Sequence, residues 1–306
     1  MKISIYPPLS IHEIGQRPNQ EDSIAQWDNR LFVLCDGMGG HEKGEVASQT
    51  VCQSLVKWFE EHINPEEPFS EDQLHEAIEY AYTKLDKYDD GSPRKMGTTL
   101  TLLYLHSKGV TAAHIGDSRI YHIRPKVGLL YQSRDHSLAF DLFQAGEITY
   151  EEMVTFPQKN IVTRAMTPGE PNRMRPDIIH ITDVQSEDRF VLCSDGIIEK
   201  GEKYFFETLF STDWSDAKIR DFLIEQTSHN QDNHSAWLIH VSDLVLEKGD
   251  KLLVNEEPTA RCNALNILPK EIINVDDDVV IIQQMGKVKR LLSWMKREVD
   301  QIMKKN

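Results

Sequence analysis

The chain has 306 residues, 40% hydrophobic and 27% charged, enough to bury one large core or two modest ones in an ordinary soluble protein. A formal net charge of −15 excludes nucleic acid as a partner, because a phosphate backbone needs a basic surface. No stretch approaches the ~20 apolar residues that span a bilayer; residues Met1–Pro8 resemble no signal peptide; and the four cysteines, Cys35, Cys52, Cys193 and Cys262, form no C-x-x-C pair. Together these features point to a reducing cytoplasm.

Residues 12–22 form a Gly/Pro-containing approach to a strand at Ser23–Trp27, preceded by Glu21-Asp22. Arg17 on this approach is either a surface cation or a guanidinium fork for a phosphate dianion. The run Leu31–Cys35 is continuously apolar and reads as a buried strand. It ends in Asp36-Gly37-Met38-Gly39-Gly40, a turn in which glycine allows close backbone approach. Val46, Val51, Leu55, Trp58 and Phe59 recur at helical spacing and predict a helix to about His62. Ser70-Glu-Asp-Gln73 resembles a capping box opening a second helix through Leu85. After Gly97-Thr98-Thr99 the pattern is β: Leu100–Leu105, Val110–Ile115, Ile120–Ile123 and Leu129–Tyr131 predict an antiparallel meander. The second of these runs ends in Gly116-Asp117-Ser118-Arg119. His106, His114 and His122 within it read as structural rather than metal-binding.

Arg134-Asp135-His136-Ser137 opens a different texture, a helix, a stop at Gly146 and a second short helix to Met153, in the manner of a lid or binding loop. A strand at Asp177–Ile181 follows, then Phe190–Cys193 running into Ser194-Asp195-Gly196, an echo of the first Asp-Gly strand. Helices near Tyr204–Phe210 and Asp216–Ser228 lead to Asp232-Asn233 and a strand at Ala236–Val241. Five carboxylate clusters thus abut the ends of five β-like runs. Acids gathered this way repel unless a cation holds them, and an all-oxygen set suits Mg²⁺ or Mn²⁺. Residues 243–306 contain β-like pieces at Lys251–Val254 and Val279–Ile282 and a terminal amphipathic helix striped by Val288, Leu292, Met295, Val299 and Ile302. Residues 287–306 hold seven basic residues against two acidic, leaving a net −20 on the rest. That helix either packs on the acidic body or docks to a partner or a membrane surface.

In order along residues 10–242, the motifs Arg17-x-x-x-Glu21-Asp22, Asp36-Gly-Met-Gly-Gly40, Gly97-Thr-Thr99, Gly116-Asp-Ser-Arg119, Asp135-His-Ser137, Ser194-Asp-Gly196 and Asp232-Asn233 resemble the metal-dependent serine/threonine protein phosphatases of the PPM, or type 2C, family, in its bacterial branch. The resemblance implies an α+β fold: a β-sandwich of two antiparallel sheets flanked by helices, in four layers α-β-β-α. It implies a catalytic domain over 1–242 with a variable flap at about 138–160, and a C-terminal extension over 243–306. It also implies two Mn²⁺ or Mg²⁺ ions, bridged by Asp36, with Glu21 and the Gly37 carbonyl on one and Asp195 and Asp232 on the other. Asp22 would hold metal-bound water, Asp117 a third, weaker ion, and Arg17 the phosphate. Phosphoserine or phosphothreonine in proteins would then be hydrolysed by a water or hydroxide bridging the ions, in opposition to a cognate Ser/Thr kinase. The alternative is a catalytically silent phosphoprotein-binding or scaffold module acting through the extension. Two departures stand out. Met38 replaces a histidine of some members and cannot transfer protons, leaving His41 or a metal-bound water to protonate the leaving group. Glu199 stands where many members place another aspartate of the third-metal site.

Overall fold

The computed structural model describes residues 2–39, 43–92, 95–158, 161–199 and 205–245. The expected strands and helix of the extension, His41 and the end of the expected flap lie outside these residues.

Leu31 to Cys35 have no solvent exposure, because β4 (Leu31–Met38) is covered on both faces. Leu31, Val33 and Cys35 pack with the helices α1 (Lys43–His62) and α2 (Glu71–Leu85), whereas Phe32 and Leu34 pack into the space between two sheets. A strand buried on both faces needs no polar alternation, which is why its sequence is a continuous apolar run. The expected capping box is present on α2: Ser70 Oγ accepts from the Gln73 N–H at 3.3 Å while the Ser70 N–H donates to Gln73 Oε1 at 3.0 Å.

The remaining strands are β1 (Lys2–Ile5), β2 (Leu9–Glu13), β3 (Asp22–Trp27), β5 (Gly97–Thr98), β6 (Leu100–His106), β7 (Gly109–Ile115), β8 (Arg119–Arg124), β9 (Gly128–Gln132), β10 (Asp177–Ile181), β11 (Arg189–Cys193) and β12 (His234–Val245). One antiparallel sheet runs β10-β7-β6-β4-β3, with β5 paired to the end of β4; the other runs β1-β12-β11-β8-β9, with β2 also on β12. Between them lie Phe32, Leu34, Leu103, Phe190, Leu192, Trp237 and Ile239. Each such side chain contributes about 1.5–3 kcal/mol on full burial, and the Trp237 indole N–H also donates across the gap to the Val33 carbonyl at 3.1 Å. The opposite side chains of β11 and β12, Val191, Cys193, Ala236 and Leu238, pack outward against α5 (Asp195–Ile198), α6 (Phe205–Leu209) and α7 (Asp216–Thr227). The order of layers is helix, sheet, sheet, helix, as the resemblance implied.

Two expectations change. The predicted meander is two hairpins in opposite sheets: β6–β7 in one and β8–β9 in the other, with β8 laddered to β11 instead of β7. Gly116 (φ +105°) makes the crossing, and a Cβ there would lie 2.6 Å from the Thr99 methyl. The N-terminal residues, read above only for targeting signals, form β1 and β2, laid in succession along β12 with Pro7-Pro8 at the break. Their long partner β12 accordingly begins before Ala236 and extends past Val241.

Candidate active site

Asp36 is held through its backbone. Its N–H donates to Thr99 Oγ1 at 2.9 Å, and its carbonyl accepts from Thr98 Oγ1 at 2.9 Å and the Thr99 N–H at 2.8 Å. The Gly97-Thr98-Thr99 motif is therefore a clamp on the end of β4. Gly37, next along, approaches α1 so closely that a Cβ would lie 2.1 Å from the Gly44 carbonyl oxygen; its N–H donates to the Glu21 carbonyl at 3.0 Å. The Glu21 side chain lies over Gly44.

Asp22 is the cross-strand register partner of Asp36, and like charges directly opposed on adjacent strands repel. Asp22 Oδ2 accepts from Ser194 Oγ at 2.8 Å, which joins β3 to the end of β11, where Asp195 begins α5. Asp232 accepts from its neighbour's N–H, Asn233, at 2.9 Å and pairs with Arg17 Nη2 at 2.8 Å. Asn233 in turn accepts from the Glu21 N–H at 2.8 Å and donates to the Ile14 and Asn19 carbonyls at 2.8 and 3.0 Å. It staples the loop carrying Arg17 and Glu21 beneath Asp232.

These groups share one electrostatic field. Burial, reinforced by Asp22, Asp195, Asp117 and Asp232, pushes the Asp36 carboxyl well above the usual carboxylate range. Burial lifts Asp22 to about 7 against the opposing hydrogen bonds of Ser235 and Ser194. Burial and then Asp195 take Asp117 to about 8, and burial and then Asp232 take Asp195 to about 6. Among the described residues, Asp22 Oδ1 and Asp195 Oδ1 are buried with no hydrogen-bond partner. Unpartnered buried carboxylate oxygens in a cluster of like charge fit hard divalent cations.

Asp117 lies nearby on the crossing turn, beside the Arg119–Asp135 pair, whose two bonds measure 2.7 and 2.5 Å. His114, His136 and Asp177 come within 4.8 Å of one another. Their hydrogen bonds make this group a clasp. The Gly116 N–H donates to His136 Nδ1 at 3.0 Å, which leaves the proton on Nε2, facing Asp177 at 3.4 Å. His114 Nε2 donates to the Arg134 carbonyl at 2.7 Å, and Arg164 sits 3.3 Å from Asp177. An ion here would have to displace both the ring proton and the guanidinium. His106 and His122 are likewise hydrogen-bonded, to Thr111 and to Asp188 at 2.9 Å each. The clasp closes the base of the expected flap, where the Leu138 N–H donates to the Ile161 carbonyl and the Thr163 N–H to that of His136. Within it, α3 (Leu138–Gln144) and α4 (Tyr150–Val154) are the two expected short helices.

The structure thus brings Glu21, Asp22, Asp36, Gly37, Asp117, Asp195, Asp232 and Arg17 to one end of the sandwich. Thr98, Thr99, Ser194 and Asn233 lie within the quoted motifs, and only their long-range hydrogen bonds reveal that they hold the carboxylates in place.

A helix-flanked β-sandwich with a carboxylate cluster at one end, and a half-exposed guanidinium beside it, is a fold and site suited to metal-dependent phosphoester hydrolysis. The model of the family described as protein phosphatase 2C matches residues 11–241, and the chain belongs to that family. It is a serine/threonine protein phosphatase of the metal-dependent kind. Protein phosphatase PhpP of Streptococcus pneumoniae is 36% identical over 194 residues, covering 60% of this chain and 76% of the relative. The serine/threonine phosphatase stp of Listeria monocytogenes is 30% identical over 243 residues, covering 76% and 94%. Among solved structures, the catalytic domain of the serine/threonine protein phosphatase PstP in complex with two manganese ions superposes with a TM-score of 0.64 at 30% identity, covering 78% of this chain and 99% of that one. No described helix is long and apolar enough to cross a membrane.

Proposed function

We propose that the chain removes phosphate from phosphoserine and phosphothreonine in proteins with two Mn²⁺ or Mg²⁺ ions. In this reading Asp36, Glu21, the Gly37 carbonyl, Asp195 and Asp232 would hold the ions. Asp117 would serve a third, weaker ion. When bound, such ions supply Lewis acidity, activating water and offsetting charge on the phosphoryl oxygens. The observation that carries the reading is the buried carboxylate cluster with unpartnered oxygens on Asp22 and Asp195.

The chain's own groups do the rest. Asp22 Oδ1 is a buried acceptor able to orient water by hydrogen bonding. Arg17, half exposed at the rim and spending one N–H on Asp232, has further donors for a phosphate dianion. Thr98 and Thr99 hold Asp36, and Asn233 holds the Arg17 loop, so the donors are set before substrate arrives. The silent-module alternative is disfavoured because each proposed ligand position carries a competent oxygen donor. We place catalysis in residues 1–242, substrate selection in the flap at 138–160 and partner or body contact in the extension 243–306. The setting is cytoplasmic, opposite a serine/threonine kinase, which fits the free thiols Cys35, Cys52 and Cys193.

The test is phosphate release from a phosphothreonine peptide by metal-stripped protein, with Mn²⁺ or Mg²⁺ added back and Asp36→Asn alongside. Release that needs the ion and disappears in the variant is the expected result. Folded, ion-binding protein that releases nothing with either metal would overturn the reading.

A further inference from the structure

Glu199 follows Asp195 by four residues, just past the end of α5, and is half-buried. Its Oε2 faces the main chain of the turn before β12. It accepts from the Gln231 N–H at 2.8 Å and lies 3.5 Å from the Asp232 N–H. The same two segments meet twice more. Asn230 Nδ2 donates to the Gly196 carbonyl at 2.7 Å, and a Cβ on Gly196 would lie 2.0 Å from the Asn233 carbonyl oxygen. The turn 230–233 is therefore fastened to α5 along its length, with Asp195 at one edge of the seam and Asp232 at the other.

We propose that Glu199 is a positioning residue for Asp232. By accepting the Gln231 and Asp232 main-chain N–H groups it fixes where the Asp232 carboxylate stands relative to Asp195, and Oε2 is committed to that task rather than to an ion. A carboxylate accepting from backbone N–H forms a charge-assisted bond, stronger than a neutral one. An aspartate at this position, one methylene shorter, would fall about 1.5 Å short of the same amides. The longer side chain of this chain is thereby accounted for as a tether across the seam. The consequence for ion binding rests on the proposed two-ion site; the tether itself does not.

The tether and a direct ligand role predict opposite behaviour for Glu199→Gln. Glutamine keeps a carbonyl oxygen that can accept from the same N–H groups but loses the anionic donor an ion would want. The first measurement is hydrogen–deuterium exchange at the Gln231 and Asp232 amides in full-length, metal-stripped protein. The second is Mn²⁺ titration by calorimetry on the same samples. Expected for Glu199→Ala are amide exchange about tenfold faster and Mn²⁺ affinity about tenfold weaker, with Glu199→Gln returning both to within about twofold of the parent. Affinity lost equally in the Gln and Ala variants, with exchange unchanged, would overturn the proposal in favour of direct ligation. Unchanged exchange and affinity in the Ala variant would overturn it as well. Failure of the phosphatase reading would appear differently, as an inactive parent protein whose amide exchange still responds to Glu199.

Discussion

Thr99 is a buried residue whose contacts are to the groups that carry the site. Its hydroxyl oxygen accepts the Asp36 N–H at 2.9 Å and meets Ser118 Oγ at 2.8 Å, and the side chain has no solvent exposure. Thr99→Val keeps the volume and leaves the Asp36 N–H without a partner, a loss of ~1–3 kcal/mol. The expected outcome is a Tm lower by a few degrees and weaker Mn²⁺ binding, read by calorimetry and by metal titration. Unaltered Mn²⁺ affinity would show that the clamp does not position Asp36. The sequence exposes the carboxylates themselves, because an acid at the end of an apolar run is conspicuous. The groups that hold them are hidden, since their partners are remote: Ser194 binds Asp22 across 172 residues and Asn233 binds the Glu21 N–H across 212. Both are small polar residues beside a stronger neighbour, and only the folded chain reveals their partners.

At the scale of elements, periodicity identifies what each strand is but not which neighbour it takes. β7 and β8 look like consecutive strands of a meander, yet each is buried, each ends in a short turn, and nothing in that pattern distinguishes a hairpin from a crossing between sheets. Gly116 stands at the crossing. Its φ of +105° lies where a side chain is strained, and a Cβ would lie 2.6 and 2.7 Å from two side-chain atoms of Thr99. Gly116→Ala therefore presses on the clamp of Asp36 as well as on the backbone. Destabilisation of more than about 1 kcal/mol follows, a Tm drop of at least ~3 °C by calorimetry. A variant that melts with the parent would mean the crossing tolerates a different backbone path. β1 and β2 escaped notice for a related reason. They are short, divided by Pro7-Pro8, and stabilised by pairing along the distant β12.

For the whole molecule, folding concentrates negative charge at one end of a chain that already carries −15, so the metal-stripped protein should weaken as pH rises. Folded-state pKa values of about 7 for Asp22 and about 8 for Asp117, with Asp36 well above its ordinary range, exceed the ~3.9 of an unfolded aspartate. Between these limits the folded chain binds more protons than the unfolded one, and stability falls with rising pH. Groups of the opposite sign act elsewhere. Burial lowers His12, His106, His114 and His136, whose effect is confined below the unfolded histidine value of ~6.5. Asp188, raised by burial but held lower overall by Arg124 and His122, acts only in the acid range. From pH 7 to 8.5 the carboxylate cluster acts, joined near the upper limit by the thiols of Cys35 and Cys193, which burial raises and whose effect has the same sign. The Tm of metal-stripped protein should therefore fall. Asp36→Asn should flatten that slope and melt higher than the parent at pH 8.5, while losing phosphate release on the reading proposed above. Mn²⁺ should raise the parent's Tm more at pH 8.5 than at pH 6.5, because its ligands must be deprotonated to bind. A flat or rising Tm between pH 7 and 8.5, or an Asp36→Asn variant less stable than the parent there, would mean that the carboxylates are not the mutually repelling cluster from which the metal requirement is argued.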